Sequence, residues 1–183
     1  IFVLALSAAF VPFESQKNKK EANSPFISIP KGSLLPVATI TFFASLSEGA
    51  VADWSAIFLK SVASLNDGNA ALGFTVFSVC MFSMRLLGDR ISFILGPATA
   101  ARYSGIVALT GSIILLVSDS FLLLLLGFGL IGLGIAVIIP LAFSRAGNDE
   151  TISQGTAIAS IATLGYGGML LGPLFLGLIA EIT

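Results

Sequence analysis

Residues 34 to 59 read LLPVATITFFASLSEGAVADWSAIFL, an apolar run interrupted by two acids, Glu48 and Asp53. A bilayer core of roughly 30 Å needs about 20 helical residues, and this run exceeds that length. An ionisable side chain within such a helix is costly in lipid and therefore faces a protein interior or a water-filled path. The stretch accordingly predicts a membrane-spanning helix that carries functional acids.

The rest of the chain supports an integral membrane protein. Hydrophobic residues make up 56% and charged residues 10% of the 183 positions, where a soluble domain carries about 25% charge. Four further spans are expected at about 70–87, 100–117, 121–143 and 152–180. Polar or Gly-bearing breaks separate them at 61–69, 118–120 and 144–150. The connection 88–102 is expected to hold a short surface helix broken at Gly96 and Pro97. Residues 1–13, IFVLALSAAFVPF, are too short to span alone and predict the end of a truncated helix; a signal peptide is the competing reading, but its basic leader is missing. The chain is thus expected to be an internal piece of a longer protein, with 14–33 as a linker and 34–183 as a helical bundle.

Basic residues orient these spans. Lys17, Lys19, Lys20, Lys31, Arg85, Arg90, Arg102 and Arg145 fall on one side, and Lys60 alone falls on the other. Under the positive-inside rule the first group is cytoplasmic, so segment 14–33 lies inside and the first full span runs outward. A bacterial-type inner (plasma) membrane is the expected location.

Around the inner end of the second span stands Arg85-Leu-Leu-Gly88-Asp89-Arg90, followed by Gly96 and Arg102. This pattern resembles the cytoplasmic loop signature of the major facilitator superfamily in the form found between its helices 8 and 9. The basic pair that normally follows the glycine is replaced by Pro97 and Ala98. The resemblance extends to the long basic connection before residue 34 and to Gly172-Pro173-x-x-x-Gly177, which is similar to the end of helix 11. It implies an all-α, partial major facilitator fold: the C-terminal half from the end of helix 6 through helix 11, without the last helix. Sugar-permease-like and efflux-like branches both fit. It also implies that Arg85, Gly88, Asp89 and Arg90 form a cytoplasmic gate, and that an N-terminal half completes the protein.

Within the first span, Thr41, Ser45, Glu48, Ala52 and Ser55 share one helical face, while Phe42, Phe43 and Leu46 lie elsewhere. Glu48, fourteen residues past Leu34, lies about 21 Å along the axis at 1.5 Å per residue. It is the candidate for binding a substrate hydroxyl or cation, or for taking up a coupling proton. The alternative is a structural acid paired with a cation on the expected N-terminal half, or hydrogen-bonded across a helix contact. Asp53 is about 140° round the helix and nearer the outer surface, beside Trp54, which is either an interfacial anchor or part of an outer gate. In the fifth span Thr156, Ser160 and Thr163 form a second polar stripe, and Gly165, Tyr166 and Gly167 are expected to bend the helix beside the cavity; Thr163 and Tyr166 are candidate substrate contacts. Glycine-rich runs at 127–134 and 165–172 predict close helix contacts, either static or sliding.

Several chemistries are disfavoured. The chain has no His and a single Cys, Cys80, so a Cys/His metal site and an internal disulfide are excluded. A nucleotide-binding phosphate loop is missing, and the basic KNKK stretch lacks the interleaved aromatics of a nucleic-acid interface. The expected protein is therefore not an enzyme and needs no cofactor. It is a secondary transporter moving a small molecule by alternating access, coupled to a proton or cation. A non-transport membrane scaffold or sensor subunit is the alternative.

Overall fold

A computed structural model describes residues 30, 32–63 and 66–182. The expected helix end at 1–13 and nearly all of the linker 14–33 lie outside these described residues. Seven helices follow one another: α1 (Leu34–Ala63), α2 (Asp67–Ala70), α3 (Leu72–Leu95), α4 (Pro97–Val117), α5 (Phe121–Ile135), α6 (Ile138–Gly147) and α7 (Gln154–Ile182). Among the described residues there is no strand. Five segments are long and apolar enough to cross a membrane, with α2 and α3 forming one and α5 and α6 another.

Each boundary has a local cause. α2 begins where the Asn66 side chain accepts the Asn69 backbone N–H at 3.0 Å, satisfying an otherwise orphaned donor. α3 does not stop at residue 87. The segment expected to be a surface connection, Gly88–Leu95, forms its last two turns, because no residue before Gly96 interrupts helical geometry. Gly96 then turns the chain at φ 80°, a conformation favoured by glycine, and Pro97 opens α4 at a first-turn position where no backbone donor is needed. The 121–143 span is also broken. Pro140 has no N–H for the carbonyl of Ala136 and its ring crowds that carbonyl, so the helix yields at Ala136–Val137 and restarts as α6.

The bundle is apolar on its outside as well as inside. Phe93, Leu116, Leu122 and Leu170 are largely exposed, as expected of side chains whose solvent is lipid. Helix contact instead relies on small residues. α1 lies along α7 where Gly168 meets the Phe42 backbone and Gly172 meets that of Leu46. A side chain at either position would collide with the facing carbonyl, so the two backbones approach closely. One core gathers Phe77, Leu124, Phe128 and Ile131 between α3, α5 and the second half of α1. A smaller one joins Leu34 and Ala38 to Ala142, Ala146, Ala157 and Ile161, closing the end at which α1 begins.

Candidate functional site

Between α1, α3, α6 and α7 lies a cavity of about 230 Å³ whose wall includes Thr41, Ser45, Glu48, Arg85, Gly165 and Tyr166. Four sequence-predicted residues from two separate spans, Thr41, Ser45, Glu48 and Tyr166, therefore meet in one place. Thr41 and Ser45 are buried, and the Thr41 hydroxyl donates back to the Val37 carbonyl at 2.9 Å. Gly165 leaves the space opposite them: a methyl built there would lie 3.3 Å from the Thr41 methyl. Ile139 and Phe143 of α6 supply the apolar side of the wall.

Arg85 brings the opposite charge. Its Nη2 lies 3.4 Å from both carboxylate oxygens of Glu48, with the arginine side chain 43% and the glutamate side chain 24% exposed. The sequence reading placed Arg85 at a cytoplasmic gate, apart from Glu48. The structure instead sets it ten residues before Leu95, the end of α3, about 15 Å along the axis at 1.5 Å per residue. The signal for this depth was present in ISFIL at 91–95, an apolar continuation with no helix breaker. Two opposite charges on neighbouring membrane helices pair because each alone is expensive in lipid.

Other predicted residues do not join this cavity. Asp53 is exposed and has no ion pair among the described residues. Thr163 turns its hydroxyl to the Ala159 carbonyl at 2.8 Å. Trp54 packs on α7, its ring 3.4 Å from where a side-chain carbon on Gly177 would sit. Asp89 and Arg90 are exposed, and among the described residues Asp89 has no salt-bridge partner. Gly88 is buried against Val137 at the α5–α6 break. Arg85 and Asp89 also line a second cavity of about 460 Å³ toward the end of α3, so Arg85 stands between the two spaces. The Thr41–Ser55 face divides as well: Ser55 lines a third, largely apolar cavity of about 560 Å³ near the opposite end of α1.

One further feature lies beside Glu48. Pro173 within α7 has no N–H to bond the Met169 carbonyl, and that carbonyl abuts Gly49 so closely that a side chain there would collide with it. The site's acid is thus carried on a segment of α1 pressed directly against the α7 backbone.

The same helices recur in known proteins. The chain is 39% identical to an uncharacterized transporter, y4wD, of Sinorhizobium fredii over 92% of this chain and 45% of the relative. It is 34% identical to an uncharacterized MFS-type transporter of Yersinia pestis over 88% of this chain and 42% of the relative. The chain is thus similar to part of an MFS-type transporter. A membrane protein of Rhizobium meliloti, MosC, is also 34% identical, over 81% of this chain and 36% of its own length. The chain spans less than half the length of these relatives. No family profile and no solved structure matches it.

Proposed function

We propose that this chain is the C-terminal half of a secondary transporter in which Glu48 couples solute movement to a proton. On this reading α1, α3, α4, α5–α6 and α7 are helices 7 to 11 of the superfamily, and an N-terminal half supplies the other wall of the pathway. The protein would lie in a bacterial-type inner membrane with residues 14–33 in the cytoplasm, and would work by alternating access.

The observation that carries the proposal is the convergence of Thr41, Ser45, Glu48, Arg85 and Tyr166 on a small cavity inside an otherwise apolar bundle. A carboxylate with an arginine partner has two states: ionised and paired, or protonated and released. Switching between them alters the charge held between α1 and α3, which gives a proton a means of biasing two arrangements of the helices. The names of the relatives support transport as the outcome.

The test is solute-dependent proton uptake by the full-length protein in liposomes, wild type against Glu48→Gln. Solute exchange that persists in the variant without proton movement is the expected result. Equal proton coupling in both proteins would remove Glu48 from the mechanism.

A further inference from the structure

The ion pair engages only one of the three guanidinium nitrogens of Arg85. Both oxygens of Glu48 face a single nitrogen, Nη2 of Arg85, at 3.4 Å. This is a long contact compared with the roughly 2.7–2.9 Å of a strong charged hydrogen bond, and it is not the two-nitrogen fork that an arginine offers a carboxylate. Among the described residues, Nε and Nη1 of Arg85 have no hydrogen-bond partner, nor does the hydroxyl of Tyr166, which is 68% exposed on the same cavity. The groups without a protein partner are therefore donors, and two of them sit on Arg85, the more accessible member of the pair.

Resting on the transporter reading above, we propose that the cavity takes a small solute bearing a carboxylate, bound by Arg85 in place of Glu48. The acid acts as an internal stand-in for the solute's own anionic group. Planar guanidinium and carboxylate match in a two-point geometry, which the Glu48 contact does not achieve. The part of the site that this half encloses measures about 230 Å³.

Proton coupling follows from competition. When the solute's carboxylate occupies Arg85, Glu48 loses its partner and takes one proton from water onto a carboxylate oxygen. The site changes from Glu⁻ with Arg⁺ to neutral Glu, Arg⁺ and bound anion, so its net charge is zero before and after. One proton and one monoanion therefore travel together without net charge. The groups that face this exchange are Arg85 from α3, Tyr166 from α7 and, one turn along α3, Asp89; α6 contributes only Ile139 and Phe143. Asp89 is the internal rival: if released Arg85 turned to Asp89 instead, protonation would not favour anion binding.

The experiment is calorimetric titration of the full-length protein in nanodiscs with matched acid, alcohol and amine triads: glycerate, glycerol and serinol; gluconate, sorbitol and glucamine; benzoate, benzyl alcohol and benzylamine. At least one acid should bind ten-fold or more tightly than its matched alcohol and amine. That binding should take up one proton per anion, with affinity rising about ten-fold per unit fall in pH while Glu48 is ionised. Glu48→Gln should bind the same acid without proton uptake or pH dependence, and Arg85→Lys, which keeps the charge but not the fork, should weaken it ten-fold or more. No acid binding, an alcohol or amine binding as tightly as its acid, or unchanged proton uptake in Glu48→Gln overturns the proposal. Proton-coupled movement of a neutral or amine solute in liposomes would overturn this assignment while leaving the transporter reading intact; movement of no solute of any charge would count against that reading itself.

Discussion

Arg85 Nη2 and the Glu48 carboxylate are 3.4 Å apart although the residues are 37 positions apart in the chain, so α1 and α3 are joined by charge across an apolar bundle. Removing one partner leaves the other alone in surroundings that penalise charge, whereas removing both does not. Glu48→Gln and Arg85→Gln should each lower the unfolding temperature in detergent, and the double variant should lower it by less than their sum. The coupling should be about 1 kcal/mol, because the arginine is well exposed and such pairs are worth little more. Additivity within about 0.3 kcal/mol would show that the two charges are not coupled.

The contact between Gly49 and the Met169 carbonyl gives a second expectation. Gly49→Ala forces its methyl onto that oxygen, an overpacking cost of about 1–3 kcal/mol. Gly167→Ala is the internal control, since nothing lies within 4 Å of a side-chain carbon built there, and alanine in a helix is favoured over glycine by up to about 1 kcal/mol. Thermal unfolding of the two variants should therefore move in opposite directions. Destabilisation by Gly167→Ala, or tolerance of Gly49→Ala, would contradict the packing.

The residues that the sequence made legible are those whose information is periodic. Thr41, Ser45 and Glu48 recur every three or four positions, and that spacing alone puts them on one helical face. Tyr166 was identifiable only as part of a glycine-flanked bend in another span, and it is the packing of α7 on α1 that brings it to the Glu48 face. The motif containing Arg85 was read as the end of a helix, whereas α3 continues to Leu95. The α5–α6 break was present in the sequence as Pro140, whose missing N–H acts four residues earlier. Ser55 shares the periodic face of Glu48 yet lines a different cavity, because what a face meets changes along a 30-residue helix, and helical period carries no information about neighbours.

Ser55 yields the third prediction. Its hydroxyl is buried, with the residue only 2% exposed, and has no hydrogen-bond partner among the described residues. Burying an unsatisfied polar group costs about 1–3 kcal/mol. Ser55→Ala should raise the unfolding temperature, by an amount corresponding to about 1 kcal/mol. A clear loss of stability would mean that the hydroxyl has a partner in the complete protein.

Asp149 supplies a pH-dependent prediction outside the spans. It lies between α6 and α7, where Oδ1 accepts the Thr151 hydroxyl and, at 2.9 Å, the Thr151 backbone N–H. Oδ2 accepts the Ser33 hydroxyl at 3.1 Å and lies 3.4 Å from Nη1 of Arg145. The Thr151 side-chain and backbone bonds, followed by Ser33 and the Arg145 charge, outweigh burial and hold this carboxyl below its usual 3.8. A folded value below the unfolded one means that the stabilisation is complete above about pH 3.8 and is lost as pH falls through the lower, folded value. Because Ser33 immediately precedes α1, the carboxylate ties the start of α1 to the turn before α7. Asp149→Asn should therefore unfold at a lower temperature than wild type at pH 7, and the gap should narrow as pH falls below about 4. Thermal unfolding of both proteins between about pH 3 and 7 checks this; a gap that stays constant down to pH 3 would mean that the charge of Asp149 contributes nothing and only its shape matters.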